Sequence, residues 1–206
     1  MRQLLWSILF LSGLLFSACI GSENPLSQLG EYENDPRLAG TWFVQTKDGS
    51  GYIHFSRSTK EGWIDIASVG FEKKGGLDID FCKAFSTHLK NGNFLNAQCQ
   101  VNMESSSEKS PEFQILFYEI TSDNELSLKA WNGKYIEKSI EEGRILGRIN
   151  QFSLTITDGS SNLVKFIQES DIDQLFVEIT KQDGAGPLFK IQEPPPRASG
   201  NKNSPK

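Results

Sequence analysis

The chain is poor in the residues from which catalytic and metal centres are usually built: among 206 residues there are three cysteines, two histidines and two methionines. Neither Cys82 nor Cys99 sits in a C-x-x-C motif, and no histidine lies near enough in sequence to suggest a zinc site. His54 and His88 both fall inside β-rich stretches with no serine or cysteine motif beside them, so both read as structural. Ser106 and Lys109 fit S-x-x-K, but the K-T-G and S-D-N partners that would give the match a mechanism are absent. The pairs Asp78 with Asp80 and Asp171 with Asp173 lack a calcium loop's glycine and distal glutamate, and read as solvated faces. No catalytic residue, metal or cofactor is expected, and the chain reads as a non-enzyme.

Positive charge is also scarce. Lys and Arg number 21 against 26 Asp and Glu, giving a net charge of −5 with the cations interspersed among acids. A nucleic-acid partner wants a concentrated basic surface, so that class is excluded. No apolar run reaches the roughly 20 residues a membrane-spanning helix needs. What the N-terminus does have is a shorter run: Met1 and Arg2 lead into apolar residues 4–16, interrupted only by Ser7, Ser12 and Gly13. That is the build of a signal peptide. The next residues, Phe16, Ser17, Ala18 and Cys19, resemble the bacterial lipobox. The resemblance implies cleavage before Cys19, diacylation of its thiol and a membrane partner reached through that lipid. Residue 20 is isoleucine rather than aspartate, which in Gram-negative lipoproteins implies the outer membrane, facing the periplasm. Removing residues 1–18 takes away Arg2 and no acid, so the net charge moves from −5 to −6.

Residues 19–36, rich in Ser, Asn, Glu, Pro and Gly, have no sustained apolar periodicity and read as a flexible tether. Residues 183–206, with "EPPPRASGNKNSPK", read as a disordered tail whose Arg197, Lys202 and Lys206 belong to a frayed end. Between them, residues 37–182 make one domain of about 150 residues, long enough for a real core. Cys82 and Cys99 are an even pair in an exported chain, either disulfide-bonded or two buried thiols.

The domain reads as mainly β. Residues 41–47 and 52–57 form a hairpin around Asp48, Gly49, Ser50 and Gly51, and "WIDIASVGF" adds a third strand. A second hairpin centres on Asn91-Gly92, suited to a type I′ turn. Leu95, Ala97, Cys99, Val101 and Met103 alternate with Asn96, Gln98 and Gln100, giving one core face and one wet face. With Asn91 and Gly92 as a two-residue loop, Ala84 pairs with Cys99, and the two cysteines sit diagonally about 7–8 Å apart, so a bond between them would require a bulge or a wider loop. "EFQILFYEI" is apolar on both faces at Ile115, Leu116, Phe117 and Tyr118 and is expected to be central or packed against a helix. Ile136 and Ile140 mark a helix ending near Gly143. Ser160 or Ser161 caps a second helix presenting Leu163, Phe166 and Ile167, and "QLFVEIT" is the expected last strand.

"LAGTW", with Gly40 and Trp42 opening the first strand, is similar to the Gly-x-Trp start of lipocalins, and the layout resembles bacterial lipocalin-like lipoproteins. The resemblance implies an antiparallel calycin-type barrel; the two short helices read near its C-terminal end depart from the single helix that lipocalins place after strand eight. In that superfamily the tryptophan closes one end of the barrel, often beneath an arginine from the last strand; here no arginine is visible in the expected last strand. Trp42, Trp63 and Trp131, with fourteen phenylalanines, either line a cavity for a small hydrophobic ligand or fill it, since an eight-stranded barrel is just wide enough for either. The functional expectation is a carrier of such a ligand, the alternative an interaction protein with a solid barrel core.

Overall fold

The computed structural model describes residues 19–45, 49–72, 75–99, 112–121, 124–150, 153–179 and 187–191. The leader (residues 1–18), Val101, Met103, Ser106, Lys109 and the cations Arg197, Lys202 and Lys206 lie outside these.

Seven strands follow in up-and-down order: β2 (Gly40–Gln45), β3 (Gly49–Phe55), β4 (Ile64–Glu72), β5 (Leu77–Leu89), β6 (Gly92–Cys99), β7 (Gln114–Ile120) and β8 (Glu125–Trp131). An eighth, β12 (Leu188–Lys190), pairs antiparallel with both β8 and β2 and closes the ring. The result is a closed antiparallel eight-stranded barrel. Closure corrects the C-terminal boundary placed at residue 182, because three residues of the supposed tail are the closing strand. Closure also explains the need for them: an open barrel would expose the unpaired backbone edges of β2 and β8.

Between the seventh and eighth barrel strands lie α1 (Gly133–Glu141), β9 (Gly147–Ile149), β10 (Ser153–Ile156), α2 (Ser160–Glu169), α3 (Ile172–Leu175) and β11 (Phe176–Glu178). The expected last strand "QLFVEIT" is thus split, Gln174 and Leu175 being helical and only Phe176–Glu178 pairing with β8. The N-cap of α2 is Gly159, with Ser160 already helical, so neither Ser160 nor Ser161 caps it.

Two apolar clusters divide the side chains. One fills the barrel: Trp42, Val44, Ile53, Phe55, Ile64, Leu95, Leu116, Leu126 and their neighbours, all buried. The other lies outside the barrel wall, where Phe94, Ile115, Phe117, Trp131 and Phe176 meet Ile136 of α1, Leu163 and Ile167 of α2 and Leu175 of α3. This accounts for β7 being apolar on both faces: Leu116 and Tyr118 point in, while Ile115 and Phe117 point out beneath the helices.

The stretch read as a tether is part of this outer layer. β1 (Cys19–Ser22) runs parallel to β10, with Cys19 opposite Ser153. Ile20, Ser22, Leu26 and Ser27 are buried. Asn96, expected on a wet face, is wholly buried: its Oδ1 accepts the Leu26 N–H at 2.7 Å and its Nδ2 donates to Thr87 Oγ1 at 2.8 Å. Composition suggests a solvated segment; distant side chains that satisfy its backbone make it a folded one.

Register in the β5–β6 hairpin differs by one residue from the sequence reading. Leu89 pairs with Gly92, so Lys90 and Asn91 form the loop, and Gly92, at φ +146°, opens the strand. A Cβ at residue 92 would collide with the Phe117 ring, which is why glycine stands there rather than in the turn. The shift puts Cys82 directly opposite Cys99 instead of diagonal to it, and the two are joined in a disulfide with no bulge. Spanning a sequence separation of 17, the bond contributes about 3 kcal/mol by chain-entropy reasoning. Reduction under native conditions is expected to lower the urea midpoint accordingly; an unchanged midpoint would contradict that contribution.

Candidate functional site

One end of the barrel is shut. Trp42 is completely buried and its Nε1 donates to the Leu38 carbonyl at 2.8 Å. Lys190, from β12, places its Nζ 5.2 Å from the centre of the Trp42 ring and donates to the Arg37 carbonyl at 2.7 Å. A lysine of the true last strand thus lies over the indole where the lipocalin resemblance expects an arginine. Gly40 adopts φ +126°, a backbone conformation that favours glycine, and a Cβ there would lie 2.9 Å from Cε at the flexible end of Lys190.

The plug under this end comes from residues 33–39. Asn34 accepts from the Ser86 N–H at 2.7 Å and donates to the Gly62 carbonyl at 2.7 Å. Asp35 receives Arg37 through its guanidinium and its backbone N–H. Burial pushes the Asp35 carboxyl up, but the Arg37 bonds outweigh it and hold the group below the ordinary carboxylate value. Its stabilising contribution is therefore complete above about pH 3.8 and fades as pH falls through the depressed folded value. Above the plug, the Tyr118 and Ser86 hydroxyls are buried inside the barrel, and neither completes a hydrogen bond. Burial pushes the Tyr118 hydroxyl up to about 12, with nearby Ser86 opposing part of the rise.

Side-chain size changes toward the other end, where the β2–β3 and β4–β5 hairpins turn. The inward positions there are Gly51, Ser68 and Gly70, with Gly51 paired to Gly70. Continuing inward on β5 are Asp78 and Asp80, opposite Gly70 and Ser68. These two carboxylates are half-buried and share the inward side with Cys82, which corrects their reading as a solvated face. Burial and the neighbouring Asp78 charge raise the Asp80 pKa. With the folded value above the unfolded one, the native state binds the proton first, so this group's contribution grows as pH drops through the folded value and opposes folding at neutral pH. Asp80→Asn is expected to raise the denaturation midpoint at pH 7 and to lose that advantage near pH 3; a lower midpoint at pH 7 would contradict it.

The three tryptophans do not converge on one pocket. Trp42 is inside. Trp131 belongs to the outer cluster, stacked on Phe176 at 4.4 Å, and half-buried Trp63 meets Phe85 edge-on at 5.4 Å. Trp131 thus packs in the outer cluster and Trp63 against Phe85, so the three tryptophans do not share one cluster. The histidines carry structural bonds: His54 shares Thr41 Oγ1 at 3.0 Å, and His88 lies between Asn93 Oδ1 at 2.8 Å and the Glu33 carbonyl at 2.9 Å. Asp171 caps α3 through the Asp173 N–H, and Asp173 pairs with Lys129 at 3.0 Å. Among the described residues, no group of three or more His, Cys, Asp or Glu comes together as a metal site.

Sequence reading missed Lys190, Ser86, Tyr118 and the Gly51–Gly70 pair. The only signal for Lys190 was the alternation in "LFKI", too short to stand out between Gly-rich and Pro-rich neighbours. No family model matches this chain, and neither the curated proteins nor the solved structures contain a match.

Proposed function

We propose that this is a lipid-anchored protein of the bacterial envelope, held at the outer membrane through acyl chains on Cys19 and facing the periplasm, whose barrel carries a small hydrophobic molecule without transforming it. The anchor reading rests on the pattern Phe16, Ser17, Ala18, Cys19 and the apolar leader before it. The observation that carries the ligand reading is the grading of side-chain size within the barrel. Large buried groups gather about Trp42, while the inward residues toward the hairpin end of β3 and β4 are small: Gly51, which faces Val44, Ser68, which faces Ile53, and Gly70. An apolar chamber with a few polar groups at its mouth is the usual form of a small-molecule site, and Asp78 and Asp80, opposite Gly70 and Ser68, would supply the polar groups of such a mouth.

Two measurements test the parts separately. Cys19→Ser should move the protein from the membrane to the soluble periplasmic fraction; unchanged membrane association refutes the anchor. In that soluble variant, an environment-sensitive fluorescent fatty acid should bind, and Gly70→Leu or Ser68→Leu should weaken binding at least tenfold with melting preserved. Equal binding by both filled variants refutes the chamber.

A further inference from the structure

Among the described residues, three neighbouring outward rows on five strands of the barrel wall carry no charge, bounded by Glu125 of β8 beyond Phe189 and by the Asp65–Lys83 pair one row further toward the Trp42 end. Reading across strands, Phe189, Phe43, Tyr52, Val69 and Ile79 form one outward row through β12, β2, β3, β4 and β5. The next outward row toward the Trp42 end runs Thr41, His54, Ala67 and Phe81, and the one toward the hairpins Gln45, Ser50, Phe71 and Leu77, so the flanks are polar but uncharged on β2 and β3 and apolar on β4 and β5. Leu77 is 62% exposed, Phe81 58% and Ile79 49%. None of the outward positions in these three rows is Asp, Glu, Lys or Arg, in a chain that is 23% charged and would by chance place about three charges among them. Tyr52 packs against both Phe43 and Phe71, at 5.3 and 6.1 Å between rings, tying the aromatic centre together. An apolar, aromatic central row with uncharged flanks has the composition of an interface centre.

We infer that this face docks a second copy of the same chain, sheet against sheet, as an isologous dimer. Three considerations select that occupant. An apolar sheet face is complemented by another at about 10 Å spacing with aligned strands, and a two-fold axis supplies it from the same residues. Five strands about 4.8 Å apart and three rows about 7 Å apart give roughly 500 Å² per copy, or about 1,000 Å² in all, the lower bound of a specific interface. The chain is acidic, at −5, and these rows hold no lysine or arginine; an anionic lipid surface would find no cation here, whereas two acidic copies can approach where neither is charged. Tyr52, the middle of the central row, falls nearest the two-fold. An area this small implies a concentration-dependent dimer. The inference stands apart from the ligand reading, which concerns the barrel's inside.

Sedimentation velocity of the full chain carrying Cys19→Ser tests it. The mass should rise from one chain at about 1 μM toward two at about 200 μM, and Tyr52→Arg or Ile79→Lys should remain a single chain throughout with unchanged melting. A strict monomer at the highest concentration overturns the proposal, as does dimerisation undiminished by both variants. Dimerisation seen only after removal of residues 192–206 also overturns it, by showing that the chain's own end occupies the face. Binding to neutral phosphatidylcholine vesicles by a protein that stays monomeric overturns it in favour of a lipid surface.

Discussion

Replacing Trp42 with alanine is expected to remove about 3–5 kcal/mol of stability, a large share of the ~5–15 kcal/mol that holds a domain together. The indole is fully buried, and its loss opens a cavity within the barrel cluster. It also strands the Leu38 carbonyl and removes the aromatic face under Lys190. A buried acceptor left without its donor adds its own desolvation cost. Trp42→Phe keeps most of the volume and should recover much of the loss. Urea denaturation of both variants measures this; a parent-like midpoint for Trp42→Ala would mean that the shut end does not hold the barrel together.

The second large effect concerns the closing strand. Ending the chain at Gln182 removes Leu188, fully buried in the barrel cluster. It also removes the Phe189 and Lys190 pairings with β2, and the Leu188 and Phe189 pairings with β8. Loss of a buried leucine alone costs about 2–5 kcal/mol, and two newly unpaired edges invite aggregation. Ending the chain at Ile191 instead leaves every described contact in place. The shorter product is expected to be insoluble or to melt well below the parent and the longer one to melt with it; equal melting of all three would show that β12 does not close the barrel.

These two effects show where local pattern was enough and where it was not. Gly40 and Trp42 stand two residues apart in a β-rich stretch, and that short-range signature picked out an indole that the barrel buries. Alternation along Leu95, Ala97 and Cys99 identified the inward face of β6, because period two is a property of the strand itself. Double-sided apolarity in residues 115–118 called for burial on both faces, as a central strand or one packed against a helix, and the helices supply the second cover. By contrast, the fate of residues 19–36 depends on Asn96 and Asp158, some 70 and 134 residues away in sequence, which no window of composition senses. The closing strand is three residues long, so its identity comes from two neighbours that offer free edges, not from its own pattern. The register error had a chemical cause: Asn91-Gly92 is good turn chemistry, but glycine was needed one step later for the Phe117 ring, and a one-residue shift decides which cysteine faces which. The size grading inside the barrel was out of reach until register paired Gly51 with Gly70.

Native mass spectrometry of the protein extracted from its membrane tests the account most directly, because a single spectrum reports both the anchor and the cargo. The account predicts a chain beginning at Cys19 with covalent acyl mass, accompanied by a non-covalent adduct of a few hundred daltons that collisional activation releases and that Gly70→Leu and Ser68→Leu lack. A chain without acyl mass, or one without an adduct in gentle conditions, would contradict it.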